Sequence, residues 1–520
     1  MKSLLSGLCV LICIASLVAC AGLSSPTTVP PSGPRDLIEA PVTIASSEST
    51  RSTPSPAVSA TPRPTRTPRP TPAGTPTPDP PRVVPGLDVI TTTYTVRRGD
   101  TLSGIAAATG TSVEELQRAN NLRNPNALKA GQKVLILRRI EGRGPSIKLI
   151  PDSELVNGPS AADFDLNNFL SRQNGYLSRY TDEVAGEQLT GAQIVQRASE
   201  QFSVHPRLLL AALEYTGGWV TQSSPTSDQL NYPLGYKRTN VEGLYIQLNW
   251  AALRLNEGYY GWRLNTRNFV RFDDGDYAFI GDRINSGTAA LQNYLAAIGT
   301  RTTWQDVAGD SAARSFIQTY RRLFGDPWQN DYGPPIPEGT RQPELALPWR
   351  KGEMWLFTGG PHSAWGQGTP WGALDFTSMS AYGCNELNDW VTAMSDGAIA
   401  RSTRGEVAQS LDPDGDERIG WSVLYLHIGT SGRARNGAQL KQGDRIGHPS
   451  CESGLAQGAH VHLARKFNGE WVNAEGDIPF VLGGWASAEA GREYDGVLTR
   501  GNLRREACEC KEPNKNGVSW

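Results

Sequence analysis

A long proline-rich run divides this 520-residue chain into a part that cannot fold and a part that can. Residues 21–90 are mainly Pro, Thr and Ser with scattered Arg, most densely at residues 61–72. Such a composition cannot bury an apolar core, so it predicts an extended, disordered linker. At about 3.1 Å per residue the linker would span on the order of 200 Å. The folded domains must lie after about residue 90.

The first 20 residues predict export. Lys2 precedes an apolar run over residues 4–18, which is too short for a transmembrane helix and ends in Leu17-Val18-Ala19-Cys20. This ending resembles a bacterial lipoprotein signal, which implies acylation of Cys20; an ordinary cleaved signal peptide is the alternative. We expect an extracytoplasmic protein, anchored by lipid to the cell membrane.

Residues 91–139 have the pattern of a small β-α-α-β module. The segment Ser112-Val113-Glu114-Glu115 predicts a capping box for the second helix. With Val-Arg-Arg-Gly-Asp-Thr-Leu at 96–102 and Leu-Lys-Ala-Gly-Gln at 128–132, the module resembles a LysM domain. The resemblance implies binding to the N-acetylglucosamine-containing glycan strands of peptidoglycan; a structural adaptor is the alternative.

Residues 160–342 have a mainly helical pattern, and Pro206 fits a first helical position. Parts of this stretch faintly resemble a lysozyme-like transglycosylase. The position of that family's catalytic glutamate is occupied by Thr216, and Glu214 lies roughly 200° around the helix from it. We therefore expect a degenerate lysozyme-like domain that binds glycan or acts as a spacer; an active glycosidase is the alternative.

Histidines are concentrated near the C-terminus, where five of the six fall between His362 and His462. The segment 458–464 alternates as a strand would, which directs His460 and His462 to one face and Val461 to the other. Two imidazoles on one face suit a metal ion, although an isolated His-x-His pair is more often solvated or packed in a core.

Further candidate ligands surround this pair. His362 and Asp375 flank a glycine-rich loop, and the alternating segment 421–428 carries Tyr425 and His427 on one face. These residues supply the nitrogen and oxygen ligands that catalytic zinc accepts, with a fourth position left for water. We expect Tyr425 and Tyr382 to serve packing rather than chemistry.

Four segments in order resemble the lysostaphin/LytM-type zinc metallopeptidases, most closely their β-lytic branch. They are Thr-Gly-Gly-Pro-His at 358–362, Ala-Leu-Asp-Phe at 373–376, Tyr-Leu-His at 425–427, and Cys-Glu-Ser-Gly at 451–454 followed by Gly-Ala-His-Val-His at 458–462. The resemblance implies an all-β peptidase domain over residues 343–520 and a Zn²⁺ site. Its ligands would be His362, Asp375 and His462, although many family members space the first two more closely.

The same resemblance implies that His427 and His460 are catalytic. The chain contains no His-Glu-x-x-His helix motif, so the proton acceptor is expected to be a histidine. We assign His460 as general base and His427 as donor to the oxyanion or leaving group, and these two roles could be exchanged.

The net charge and the number of cysteines bear on the binding partners and the disulfide bonds of this protein. A net charge of −2 without a basic stripe argues against nucleic acid as a partner. Four cysteines remain after the first 20 residues, and an even number in an exported domain predicts disulfides. Because Cys-x-Cys partners rarely bond to each other, we favour the pairing of Cys384 and Cys451 each with one of Cys508 and Cys510. All three pairings remain open.

The sequence thus predicts a multidomain chain whose folded parts are a LysM module, a mainly α domain and an all-β domain. The predicted function is a peptidoglycan hydrolase: a zinc endopeptidase that cleaves cell-wall peptides or cross-bridges and is held on the wall by LysM. The alternative is a non-enzymatic scaffold or activator of cell-wall amidases, whose degenerate LytM domains lack zinc ligands.

Overall fold

The computed structural model describes Asp79 and residues 89–520. The predicted leader with Cys20, and nearly all of the predicted linker, lie outside the described residues. Among the described residues, no helix is both long enough and apolar enough to cross a membrane.

The first folded unit has the predicted β-α-α-β order. Strand β1 (Val89–Thr95) pairs antiparallel with β2 (Lys133–Arg139), and helices α1 (Leu102–Thr109) and α2 (Val113–Ala119) lie between them in sequence. Both hydrogen bonds of the capping box between Ser112 and Glu115 are present. The helices close a small apolar core against the two strands.

The second unit is mainly helical. Its helices are α3 (Pro159–Ala162), α4 (Leu166–Ser171), α5 (Gly191–Phe202), α6 (Pro206–Gly217), α7 (Ser227–Asn231), α8 (Leu244–Arg263), α9 (Ser286–Ala297), α10 (Arg301–Val307) and α11 (Phe316–Phe324). Two short hairpins complete it: β3 (Thr181–Val184) with β4 (Glu187–Thr190), and β5 (Phe269–Arg271) with β6 (Tyr277–Phe279). Leu149, Ile150 and Leu155 belong to its core, so the packed unit begins upstream of residue 160.

Glu214 has a structural task in this unit. Its carboxylate accepts hydrogen bonds from the backbone N–H groups of Val220 and Thr221, each at 3.1 Å, and from the Thr221 hydroxyl at 2.5 Å. These bonds fix the turn that follows α6. Thr216 donates to the Ala212 carbonyl at 2.8 Å within the helix. Both side chains therefore support the local backbone at the end of α6.

The third unit is built on a nine-stranded antiparallel sheet of order β13-β10-β11-β12-β15-β8-β7-β21, with β16 added beside β15. The strands of this unit are β7 (Met354–His362), β8 (Ala373–Ser378), β9 (Val391–Thr392), β10 (Gly397–Thr403), β11 (Gly405–Ser410), β12 (Trp421–Ile428), β13 (Gln439–Leu440), β14 (Arg445–Gly447), β15 (Val461–Phe467), β16 (Glu470–Trp471), β17 (Val481–Leu482), β18 (Trp485–Glu489), β19 (Gly496–Arg500), β20 (Leu503–Glu506) and β21 (Gly517–Ser519). Strands β17 to β20 form a second sheet, β9 pairs with β14, and helix α12 (Pro513–Asn516) precedes β21.

The two faces of the large sheet belong to different cores. Val423 and Leu463 point into the core of the third unit itself. Leu424, Leu426 and Ala464, on the opposite face, pack in one apolar cluster with the helices of the second unit. The second and third units therefore share a core, whereas the sequence predicts two separate domains.

A buried network of charged groups reinforces this shared boundary. Arg401 binds Glu417 at 2.7 Å and Glu406 at 2.5 Å, and Lys466 binds the same Glu417 at 2.7 Å. From α5, Gln201 donates to Glu406 at 2.7 Å. A buried charge is tolerated only when it is paired in this way, so the network fixes α5 against the sheet.

Candidate metal centre

Three candidate ligands converge at one end of the sheet. His362 ends β7, Asp375 lies in β8 and His462 lies in β15, and the β-register sets Asp375 directly opposite His462. His362 Nε2 lies 3.0 Å from His462 Nδ1. Asp375 Oδ1 lies 3.3 Å from each of these two nitrogens.

This triangle fits a zinc ion. Ligand atoms about 2.0–2.1 Å from a tetrahedral zinc are separated by about 3.3 Å. Asp375 Oδ1 is buried and has no hydrogen-bond partner, although buried carboxylate oxygens nearly always have one. A cation bound between the three side chains would satisfy this oxygen, and two imidazoles with one carboxylate form a donor set that zinc accepts.

Backbone carbonyls fix which imidazole nitrogen faces the centre. His362 Nδ1 donates to the Gly360 carbonyl at 2.8 Å, and His462 Nε2 donates to the Ala364 carbonyl at 3.1 Å. In the neutral form of each ring, the opposite nitrogen therefore carries the lone pair. Such partners both orient a metal-binding histidine and select its tautomer.

Local backbone irregularities explain the Thr-Gly-Gly-Pro-His segment. The pairing of β7 with β8 shifts register on both sides of Gly359, and these bulges bring His362 towards Asp375. A Cβ at position 359 would lie 2.6 Å from Asp375 Oδ2, and one at Gly360 would lie 2.5 Å from the backbone nitrogen of Gly496. Glycine is therefore required at both positions.

A second pair of histidines lies beside the candidate ligands. The rings of His427 and His460 are 4.4 Å apart, and His460 Nε2 lies 3.7 Å from Asp375 Oδ1. His427 Nδ1 donates to the Glu452 carbonyl at 3.1 Å, and His460 Nδ1 donates to the Gly458 carbonyl at 2.7 Å. Both rings consequently keep Nε2 available in their neutral form.

His427 reaches this position because the strand pattern breaks. The sequence predicts that His427 shares a face with Tyr425, but His427 has a φ of 62°, which turns its side chain to the other face. Tyr425 stays in the opposite core, where its hydroxyl donates to Gln409 at 2.9 Å. The packing role predicted for Tyr425 agrees with this position, whereas the shared face was wrong.

Burial and charge set the protonation of this cluster. Burial and the neighbouring imidazoles lower the pKa of His427 to about 3, so the ring is neutral at pH 7. Burial also lowers the pKa of His462. Although burial favours the protonated acid, His362 and His460 hold the pKa of Asp375 well below its usual range. The carboxylate is therefore charged and ready to bind a cation.

The site opens into a groove lined only by residues of the third unit, all between Leu356 and Lys511. Tyr382 lies on the rim of this groove and is 84% exposed. The sequence-based expectation that Tyr382 serves packing was therefore wrong. His448 lies outside the lining and donates to the Asp389 carbonyl at 2.9 Å.

Sequence reasoning missed two residues that support His362. The ring of Tyr494 stacks on the His362 imidazole with centroids 4.2 Å apart. The neighbouring Glu493 accepts hydrogen bonds from the backbone N–H and hydroxyl of Ser363, at 3.1 and 2.8 Å. Both lie in a turn before β19 that carries no motif or periodicity, so nothing in the sequence distinguishes them from a solvated surface turn.

All four candidate cysteines form disulfides, but in a different pairing from the favoured one. The bonds are Cys384–Cys451, with a Cα–Cα distance of 5.3 Å, and Cys508–Cys510, with 5.2 Å. The loops that carry Cys384 and Cys451 meet beside the histidines, where the Ala459 N–H donates to the Gly383 carbonyl at 2.7 Å. This contact between distant loops could not be foreseen from cysteine spacing.

Comparisons with known proteins agree with this layout. The sequence model of the LasA N-terminal domain matches residues 148–337, and that of the LysM domain matches residues 94–136. The chain is 24% identical to protease LasA of Pseudomonas aeruginosa over 351 residues, which cover 64% of this chain and 77% of that protein. It is 27% identical to the β-lytic metalloendopeptidase of Achromobacter lyticus over 166 residues, which cover 30% of this chain and 41% of that protein.

Among solved structures, the M23 metalloprotease pseudoalterin is 25% identical, with a TM-score of 0.28, over 32% of this chain and 95% of pseudoalterin. Together, the domain matches and the sequence relatives confirm the predicted resemblance: the chain is related to the LytM-type metallopeptidases and carries a LysM domain. The helical unit corresponds to the LasA N-terminal domain. Its likeness to lysozyme stays a prediction.

Proposed function

We propose that this protein is a zinc-dependent endopeptidase that hydrolyses peptide bonds in peptidoglycan. The observation that carries the proposal is the buried, unpartnered Oδ1 of Asp375, which faces the lone-pair nitrogens of His362 and His462 across distances that suit zinc. The open groove beside these groups supports access of an extended substrate to the centre.

His362, Asp375 and His462 would hold the ion through two nitrogens and one oxygen. When bound, zinc would supply Lewis-acid chemistry, which polarises a scissile carbonyl and lowers the pKa of water. The chain itself must provide the groups that orient the water and move its proton, since no thermolysin-like glutamate helix is present in the sequence.

We assign proton transfer to His460. Its side chain is 16% exposed, so water can reach the ring, and its Nδ1–H bond to the Gly458 carbonyl leaves Nε2 to accept a proton from water. The same Nε2 then returns the proton to the leaving amine. General catalysis of this kind contributes about 10²–10⁴-fold to a rate.

The role of His427 differs from that of His460. A buried, neutral imidazole whose Nδ1–H donates to a carbonyl can accept but not donate a hydrogen bond at Nε2. We therefore assign His427 to orient the attacking water by accepting a hydrogen bond from it. This replaces the donor role that we assigned to His427 from the sequence.

The LysM unit would hold the enzyme on the glycan strands of its substrate. A lipid on Cys20 would tether the chain to the cell membrane, and the Pro-, Thr- and Ser-rich segment after it would connect this anchor to the folded units. The setting is therefore extracytoplasmic. Tethering raises the local concentration of substrate without changing the chemistry.

Incubation of the full chain with purified peptidoglycan tests the proposal directly. We expect new amino groups to be released, release to stop after chelation, and zinc to restore it. Release of reducing sugars without amino groups would contradict an endopeptidase. So would amide cleavage that continues unchanged after complete removal of zinc.

Deletion of residues 91–139 tests the targeting role separately. We expect digestion of whole peptidoglycan to fall by about tenfold or more, because effective concentrations of tethered partners raise apparent affinity by such factors. Hydrolysis of a short soluble peptide should not change. An equal loss on both substrates would contradict a targeting role.

A further inference from the structure

Two large apolar side chains stand almost fully exposed at the candidate active-site groove. Tyr382 is 84% exposed and Leu455 is 88% exposed, the highest values for large apolar side chains among the described residues. Both line the groove that contains the four clustered histidines. Exposure of such groups at a concave site indicates a surface that a ligand covers.

Each of the two residues stands beside one histidine of the proposed catalytic pair. Leu455 follows Gly454, at which an added Cβ would lie 3.2 Å from His427 Cε1, so the backbone there crosses directly against the imidazole. Tyr382 precedes Gly383, whose carbonyl accepts a hydrogen bond from the N–H of Ala459, the residue before His460.

The two loops that carry these side chains are joined into one wall. The disulfide Cys384–Cys451 links them, and the Thr377 hydroxyl donates to the Ala459 carbonyl at 2.6 Å. Lys511 ties the loop of Tyr382 to the C-terminal segment, since its ammonium group donates to the Ala381 carbonyl at 2.6 Å. A wall fixed in this way loses little conformational entropy when a ligand binds.

We infer that Tyr382 and Leu455 form a specificity subsite for an apolar side chain of the substrate peptide, next to the bond that is cleaved. The partly exposed Ala381 and Ala456 also line the groove, so it offers small apolar surfaces to a side chain such as that of alanine. Glycine has no side chain to bury there. The inference rests on the proposed peptidase function and names the class of peptide that it favours.

Kinetics of the full chain on two soluble peptides, hexaalanine and hexaglycine, test the inference. We expect kcat/KM to be at least about tenfold higher for hexaalanine. Tyr382→Ala and Leu455→Ala should each raise KM for hexaalanine by about tenfold and leave kcat within about twofold, since burial of a large apolar side chain contributes binding of that order. The two variants should affect hexaglycine much less.

Matched variants give the controls. Tyr382→Phe keeps the ring and should behave like the wild type, and Leu503→Ala removes an apolar side chain that is 45% exposed outside the groove lining and should change nothing. Equal kcat/KM for both peptides, or unchanged KM in both alanine variants, would overturn the subsite while hydrolysis itself persisted. Absence of any metal-dependent hydrolysis in the wild type would instead contradict the proposed function.

Discussion

Two buried charged clusters lie on the same sheet, and they differ in whether their polar atoms are satisfied. In the cluster of Arg401, Glu406, Glu417 and Lys466, none of the buried side-chain nitrogens and oxygens lacks a partner. In the cluster around Asp375, one buried carboxylate oxygen has none. The satisfied network serves the fold, whereas the unpartnered oxygen of Asp375, which lies within reach of two imidazole nitrogens, fits a metal ion.

The largest expected effect comes from removing a ligand of the unsatisfied cluster. His362→Ala or His462→Ala should abolish zinc retention and lower hydrolysis by about a thousandfold or more, because the metal supplies several kcal/mol of transition-state stabilisation. Metal analysis after gel filtration and amine release from peptidoglycan measure both. Glu417→Gln, in the satisfied cluster, is the control and should retain zinc.

Removing either histidine of the second pair should separate turnover from metal binding. His460→Ala and His427→Ala should keep one zinc per chain and lose about 10²–10⁴-fold in kcat. His448→Ala provides a control, because this ring lies outside the groove. Near-normal hydrolysis by His427→Ala would show that this imidazole does not orient the attacking water.

Removing a charged group from the satisfied cluster should lower the free energy of unfolding and leave kcat unchanged. Arg401→Ala leaves Glu406 and Glu417 without their main cation, and the loss of one partner of a buried pair costs about 3–5 kcal/mol. Denaturant unfolding should detect the loss, while kcat of the folded fraction stays within about twofold. The exposed Arg435→Ala is the control, and an equally large loss of stability there would contradict the comparison.

The stabilisation contributed by the satisfied cluster should decrease as pH falls. Although burial favours the protonated acid, Arg401 and Lys466 hold the pKa of Glu417 well below its usual range. The stabilisation is complete above the unfolded-state pKa of about 4.3 and decreases as pH falls below it, by at most about 1.4 kcal/mol per pH unit. Unfolding free energies between pH 6 and pH 3 should fall less steeply in Glu417→Gln than in the wild type.

Sequence patterns predicted the parts of this molecule that local rules control. Alternation placed Val461 and Leu463 in a core opposite His462, and the capping box at Ser112 and Glu115 set the start of a LysM helix. The order of the four motif segments identified the residues that converge at the candidate centre. These features depend on neighbouring residues or on recurrent motifs, which the sequence displays directly.

Other features depend on contacts between distant segments. The positive φ of His427, the pairing of Cys384 with Cys451 and the stacking of Tyr494 on His362 each arise where separate loops meet. The core shared by the helical unit and the sheet also depends on such contacts. An apolar face has the same sequence pattern whether it packs within its own unit or against another unit. The spacing of apolar residues in the sequence does not indicate which distant segments will be in contact.

We propose that Asp375, His362 and His462 form a zinc site. X-ray absorption spectroscopy of the purified full chain, combined with metal analysis, tests it most directly. We expect one zinc per chain, bound by two imidazole nitrogens and at least one oxygen, and loss of that zinc in Asp375→Asn. A wild-type protein that retains no zinc, or one whose zinc remains with the same ligands in Asp375→Asn, would contradict it.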